Sequence, residues 1–410
     1  MSIQPPRVAF FACAYNEVDG VANTAHHFEE YAARHRLPFL SIHGGYDSYL
    51  RKEDTLIKAE LERGWASFPL DKKHDFDLLF GKHYKAAEAL VRDFQPDLVH
   101  ITGPSDVGII GALIAHKRHL PLFASWHTNL HEYAARRAAS LFRWLPARWQ
   151  RAIGSGIESG SLRLLIRYYQ IPRLLFAPNP ELVALLKNGT GKPCLPMGRG
   201  VDVDLFQPER RDRQADGPFI LGYVGRITVE KDVHLLPQLE QGLLDAGCRD
   251  FRFLIVGQGA AEPWLKEHLR QADFAGVLRG VELARAYANM DLFVFPSRTD
   301  TYGNVVLEGM ASGLPAVVTN AGGPQFIVQH GKTGFVAKDI REFVEHIAWF
   351  LADRERRETM SRAARAYALS TTWDAVFDFI YESYGKALAS GARNLPVCQT
   401  DAVTLREPEC

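Results

Sequence analysis

Cysteine is scarce in this chain of 410 residues: Cys13, Cys194, Cys248, Cys398 and Cys410 are five in number, scattered, and never in a C-x-x-C pair. An odd, dispersed set gives neither a disulfide framework nor a cysteine zinc site, and it fits a reducing compartment. Also missing is any apolar run of the roughly 18–20 residues that span a bilayer. The apolar opening Val8–Ala14 is short, has only Arg7 as a basic residue before it, and runs into polar Asn16 and Glu17, so it reads as a first strand and not as a signal peptide. No charge predominates. Lys+Arg 48 against Asp+Glu 48 gives a formal net charge of +0, which excludes the basic surplus of a nucleic-acid binder and makes any electrostatic specialisation local. These absences lead us to expect a cytoplasmic protein, at most peripheral on the inner face of a membrane.

What is present is a globular composition in a chain long enough for two domains. The most informative stretch runs from Phe293 to Thr319. Leu292–Phe295 reads as a buried strand stopped by Pro296, a polar loop follows, and from Asn304 the apolar pattern of Val305, Val306, Leu307 and Met310 is helical. Gly313 and Pro315 end that helix, and a strand begins at Ala316. Asp300 therefore stands in a loop at a strand's C-terminal end and Glu308 early in the helix, so that two carboxylates flank a helix N-terminus. Free N–H groups and a positive dipole end there suit a phosphate, and a carboxylate beside them can accept sugar hydroxyls. Taken alone, the pair reads first as a capping Asp and a solvated Glu, and the rest of the chain shifts that balance.

Earlier in the chain a related pattern stands. Phe219–Val224 reads as a strand ending at Gly225-Arg226, with Lys231 close to the next helix, five positions after Arg226. Two cations in one crevice can offset the charge that grows on a departing nucleotide diphosphate. In the first half, Val8–Ala14 leads to a helix from about Val21 through the turn Asp19-Gly20, and the strand Leu122–Ser125 leads to Trp126-His127-Thr128-Asn129. Alternating strands and helices with Gly/Pro turns at strand ends predict doubly wound parallel sheets. Gly257-Gln258-Gly259 is either a plain turn or a nucleotide contact. The histidines are scattered, and no metal is expected.

From about Val8 to about Tyr384 the chain resembles the retaining nucleotide-sugar glycosyltransferases of family 4, mannosyl-, glucosyl- and sulfoquinovosyl-transferases with the GT-B fold. The resemblance rests on Asp300 and Glu308 with seven residues between them, on the G-R-x-x-x-E-K run of Gly225 to Lys231, and on the segment ASWHTNLHEYA around His127. At the first acidic position the family usually carries Glu; here it is Asp300, one methylene shorter. The resemblance implies an α/β GT-B architecture, two Rossmann-like domains facing a cleft. It implies a nucleotide-sugar donor held by Arg226 and Lys231 at the diphosphate, by Glu308 at the ribose and by Asp300 at the sugar. His127 and Gly20 would close the site from the first domain. Gly303, Asn304 and Val305 at the helix start, Gly257, and the Arg279-Gly280-Val281 segment near the nucleobase would complete the donor contacts, with catalysis resting on His127, Asp300, Arg226 and Lys231. UDP and GDP are not separated by such backbone contacts.

We expect the first domain over 1–205, the second over 206–390 with terminal helices crossing back, and a disordered tail over 391–410. The segment 134–173 interleaves Arg136, Arg137, Arg143, Arg148, Arg151, Arg163, Arg167 and Arg173 with Leu141, Phe142, Trp144, Leu145, Trp149, Tyr168 and Tyr169. It reads either as a surface for an anionic membrane bearing a lipid acceptor or as an apolar face packed in the domain beneath solvated arginines. The residues leave two rivals open: a nucleotide-sugar epimerase of the same fold, and a non-catalytic relative that binds nucleotide or lipid.

Overall fold

The computed structural model describes residues 4–16, 20–64, 67–69, 75–77, 79–127, 147–213 and 217–389. Its first sheet is built from β1 (Val8–Ala12), β2 (Phe39–Gly45), β3 (Tyr49–Glu53), β4 (Leu56–Glu62), β7 (Leu98–Ile101), β8 (Leu122–Ser125), β9 (Leu174–Ala177) and β10 (Cys194–Pro196), in the order β10-β9-β8-β7-β1-β2-β4-β3. A separate antiparallel pair, β5 (Ser67–Pro69) and β6 (Asp75–Asp77), stands beside it. Every ladder of the first sheet is parallel except β3 on β4. Helices on both faces bury the central strands completely, which is why β1, β7, β8 and β9 read as short apolar runs without alternation.

The second sheet comprises β11 (Phe219–Val224), β12 (Phe251–Val256), β13 (Ala272–Gly276), β14 (Leu292–Phe295), β15 (Ala316–Thr319) and β16 (Gly334–Ala337). Its order is β13-β12-β11-β14-β15-β16, all parallel. This is the doubly wound order in which the chain reverses direction between its first and fourth strands, here β11 and β14. A crevice opens beyond the carboxyl ends of strands at such a point. Gly225-Arg226 follows β11 and Ser297 to Asp300 follow β14, so the topology alone brings them together.

The helix Trp373–Ala389 lies against the first sheet, not the second. Trp373, Phe377, Ile380, Tyr381 and Tyr384 share one buried cluster with Val8, Phe10, Phe28 and Phe39. Phe377 stacks on Phe28 with ring centroids 4.4 Å apart, and the Arg34 guanidinium donates to Asp374. Where the chain leaves the first domain it runs beside the segment that returns to it: Val201 N–H donates to the Thr371 carbonyl at 3.1 Å. A Cβ on Gly200 would stand 2.1 Å from the Trp373 backbone nitrogen, so no larger residue fits that crossing.

Two regions hold strands that no apolar alternation in the sequence announces. The polar stretch Tyr46–Asp77 carries four. β3 is an edge whose Arg51, Lys52 and Glu53 all face solvent, so it has no apolar alternation to read. The strand β13, ADFAG, was likewise hidden, because its half-exposed small residues carry little hydrophobic signal.

Candidate active site

The second-domain half of the site is organised by Asp300. Lys231 Nζ donates to its Oδ1 at 2.6 Å and Ser297 Oγ to its Oδ2 at 2.6 Å. Burial alone would raise the carboxyl pKa; the Lys231 ammonium outweighs it, with Ser297 and Arg226 adding, so the group sits below the usual Asp value. Lys231 comes from a 3-10 turn, Val229–Lys231, after β11, which a hydrogen bond from Thr299 Oγ1 to the Glu230 carbonyl, 2.9 Å, ties to the Asp300 loop. Arg226 lies 3.4 Å from Glu230 Oε1 and remains 40% exposed, able to swing toward a ligand. The family's longer Glu is not needed to reach Lys231; aspartate already does.

The helix Asn304–Ala311 begins immediately beyond. Gly303 holds φ at +102°, and a Cβ there would meet Pro324 Cγ at 2.8 Å, so the turn that exposes the helix N-terminus requires glycine. Glu308, one turn in, accepts from Tyr287 OH at 2.9 Å, and Val305 O is a second acceptor for that hydroxyl at 3.1 Å. Burial raises the Glu308 pKa to about 7, against a lowering by the Tyr287 bond. Tyr287 is a residue that sequence reasoning missed: it lies 21 positions away on the neighbouring helix Gly280–Ala288 and carries no motif of its own.

The first domain meets this half directly. Gly20 opens the helix Gly20–Arg34, and a Cβ on it would lie 3.4 Å from Asn304 Nδ2, so the two helix starts face each other across the cleft. Thr301 Oγ1 donates to the His127 carbonyl at 3.0 Å, Asn179 Nδ2 donates to the Thr301 carbonyl at 2.7 Å, and Tyr302 OH to the Arg199 carbonyl at 3.2 Å. Asp19, Thr128 and Asn129 lie outside the described residues.

His127 has both ring nitrogens engaged. Arg199 Nη2 lies 2.7 Å from Nδ1, and because a guanidinium only donates, Nδ1 accepts and the ring proton sits on Nε2. Nε2–H then donates to Ser125 Oγ at 2.6 Å, Ser125 donates to His100 Nε2 at 2.9 Å, and His100 Nδ1–H donates to Tyr384 OH. Burial, then Arg199 and His100, push the His127 pKa well below its usual value, and burial lowers that of His100 to about 3. In this arrangement the imidazole, which the resemblance implies would face the donor sugar, has no ring nitrogen free for a hydrogen bond to it; the ring is held neutral and oriented, and the His127 backbone carbonyl grips the Asp300 loop. Arg199, Ser125, His100 and Tyr384 were not foreseen, since Tyr384 is 284 positions from His100. Tyr384→Phe removes the end of this chain: we expect kcat to fall about 3- to 10-fold, in proportion to a hydrogen bond of about 1 kcal/mol. KM for the donor should stay nearly constant, as initial rates will check.

Two residues that the resemblance implies as donor contacts follow strands of the second sheet, Gly257 after β12 and Val281 after β13. Gly257, at φ +133°, follows β12, and a Cβ there would lie 1.9 Å from the Gly225 carbonyl oxygen; glycine is needed for this backbone approach whether or not a nucleotide touches it. Val281 is 53% exposed at the start of its helix. Among the described residues no group of three or more His, Cys, Asp or Glu is placed to hold a metal ion. None of their helices is long and apolar enough to cross a membrane. The basic aromatic segment lies outside the described residues up to Pro146. Beyond that, the helix Ala147–Tyr168 packs Leu162, Leu165 and Ile166 on the core, while Trp149 and Leu164 are exposed.

Residues 218–353 match the family described as Glycosyl transferases group 1, and residues 18–159 match Glycosyltransferase Family 4. The GDP-mannose-dependent alpha-mannosyltransferase of Mycolicibacterium smegmatis is 32% identical over 326 residues, 75% of this chain and 77% of that protein. The sulfoquinovosyl transferase SQD2 of Arabidopsis thaliana is 34% identical over 313 residues, covering 72% of this chain and 58% of that protein's length. Among solved structures, the sucrose-phosphate synthase of Thermosynechococcus elongatus superposes with a TM-score of 0.69 at 18% identity, over 94% of this chain and 100% of that one, a likeness of fold. Two parallel-sheet domains, acids at the strand end and helix start of the second, and a relative alike over three quarters of the chain lead to one conclusion: the chain belongs to the family 4 glycosyltransferases of the GT-B fold.

Proposed function

We propose that the chain transfers a hexosyl group from a nucleotide-diphosphate hexose to an acceptor hydroxyl, with retention as in the family it resembles. The observation that carries this is the Lys231–Asp300–Ser297 arrangement at the reversal point of the second sheet, beside the N-terminus of the helix Asn304–Ala311. An ammonium has three N–H donors, so a Lys231 held on Asp300 still has donors for a diphosphate oxygen. Arg226, loosely paired with Glu230, supplies a second cation as charge develops on the leaving group. The free N–H groups after Gly303 add the helix dipole. Glu308 accepts ribose hydroxyls, and Asp300, kept ionised by Lys231, accepts a hydroxyl of the sugar. The neutral His127 adds no charge and shapes the sugar's first-domain wall.

The acceptor falls to the first domain. At the ends of β2 and β4, Glu60 accepts from Asn16 Nδ2 at 3.3 Å and from the Asp47 N–H at 3.0 Å, and Arg63 donates to Asp106 at 3.1 Å. Such a polar cluster suits a glycan or lipid headgroup rich in hydroxyls. Exposed Trp149, Leu164 and Ile171 favour an acceptor at a membrane surface, the inner face of an anionic bilayer.

The mannosyltransferase relative named above depends on GDP-mannose, so GDP-hexoses are the first donors to try, with UDP-hexoses beside them. A thermal-shift panel tests the reading. We expect one nucleotide series to stabilise the protein, by about 2.7 kcal/mol at roughly 100 times its Kd, and its donor sugar to be turned over. Stabilisation by neither series removes the proposal.

A further inference from the structure

A cavity in the second domain lies away from this cleft. It has a volume of about 740 Å³ and opens at the opposite edge of the second sheet, where Phe219 starts β11 and Asp291 precedes β14. Five arginines line it, Arg211, Arg213, Arg249, Arg354 and Arg357, against three acids, Asp250, Asp291 and Glu358. Asp291 is shared by two of them, Arg211 at 2.8 Å and Arg213 at 2.6 Å. Arg354 pairs with Glu358 at 2.8 Å. Arg357 donates to the Phe350 carbonyl and lies over the Phe219 ring, with no carboxylate of its own. Among the described residues Arg249 has neither ion pair nor hydrogen bond, and it is exposed at the rim. Burial lowers the Arg357 pKa, opposed by Asp291 and reinforced by Arg354.

Two further donors in this wall are unspent. Arg213 Nε and the hydroxyl of Ser312, a residue only 3% exposed, are buried and without a hydrogen-bond partner. Leaving a buried polar group unpaired costs about 1–3 kcal/mol, so such groups call for an explanation. The volume is in the range of roughly 300–1,000 Å³ typical of small-molecule sites. Planar guanidinium forks match the oxygens of a phosphate better than any other common group.

We propose that this cavity is a second ligand site, for a small phosphate ester such as a sugar phosphate, separate from the donor cleft. Its position gives it a mechanical hold on that cleft. Ser312 is the C-terminal cap of the helix whose first turn faces Lys231 and Asp300, and Arg211 and Arg213 lie on the segment that enters the second domain. A phosphate ester bridging Arg249, Arg357 and Arg213 would tie the linker to the helix Arg354–Leu369 and to the far end of the donor helix.

Titration calorimetry with glucose 6-phosphate, and with glucose as the uncharged control, tests this on the full chain. The variants are Lys231→Ala, which disables the donor cleft, and the double substitution Arg249→Ser with Arg354→Ser, whose side chains are exposed and remove no core packing. We expect saturable binding of glucose 6-phosphate and none of glucose, a Kd within twofold in Lys231→Ala, and a Kd at least tenfold weaker in the double variant. Absence of saturable binding, loss of it in Lys231→Ala, or binding unchanged in the double variant would each overturn the proposal. No nucleotide enters the experiment, so its failure and the failure of the donor reading are told apart.

Discussion

Lys231→Ala should lower kcat/KM for the donor by about a thousandfold, roughly 4 kcal/mol of transition-state stabilisation, at the upper end of what one preorganised donor supplies. The side chain does two things at once. On the proposed function it would meet the diphosphate as negative charge grows there, and it holds Asp300 ionised and oriented at 2.6 Å. Both are lost together, which is why the effect should exceed that of Arg226→Ala, whose guanidinium is partly exposed and paired only at 3.4 Å. A stability signature accompanies it. Asp300 has a folded pKa below its unfolded value, so it contributes stability that is present above the unfolded Asp pKa and lost as pH falls through the folded one. The variant should therefore melt lower than wild type at neutral pH, and the two curves should converge in acid. Steady-state kinetics and melting from pH 3 to 8 measure both; a variant within tenfold of wild-type kcat/KM would show that Lys231 does not meet the leaving group.

Glu308→Gln should weaken nucleotide binding about 10- to 100-fold, the loss of charge-assisted hydrogen bonds of about 1.5–3 kcal/mol to the ribose. Its pH behaviour is opposite in sign to that of Asp300. Here burial raises the folded pKa from 4.5 to about 7, so between those values the folded chain holds a proton that the unfolded chain releases. Folding stability without ligand falls as pH rises through that window, and nucleotide affinity rises as the carboxylate forms near pH 7. Glu308→Gln abolishes both slopes, because the amide does not titrate. Melting temperatures and nucleotide Kd across pH 5 to 8 will decide: slopes identical in the two proteins would place the titrating group elsewhere.

The strands and their ends were legible in the sequence wherever both faces are buried. β1, β8, β11 and β14 are apolar runs bounded by Gly, Pro or polar turns, and the motif residues Arg226, Lys231, Asp300 and Glu308 follow or begin the predicted elements. The partners of those residues were not legible. Ser297 is one serine among many until Asp300 folds onto it, Tyr287 reaches Glu308 from a neighbouring helix, and the His127–Ser125–His100–Tyr384 chain joins segments that only the sheet and the returning helix bring together. Periodicity reports which face of an element is buried; it carries nothing about which hydroxyl meets which imidazole across hundreds of positions. The edge strand β3 was missed for a different reason, since a solvent-facing ribbon of Arg, Lys and Glu has no hydrophobic face to register.

The side-by-side crossing of Val201 and Thr371 has a kinematic meaning. Two covalent strands joined by a hydrogen bond act as a pair of pivots set on one line, with Gly200 pressed against the Trp373 backbone as the bearing. Sliding of one domain past the other would stretch both strands, whereas turning about their common line leaves them unstrained. Turning about that line is the cleft motion these two crossings strain least, and in it the helix Trp373–Ala389, packed on the first sheet, travels with His100 and His127 while the second domain swings against them.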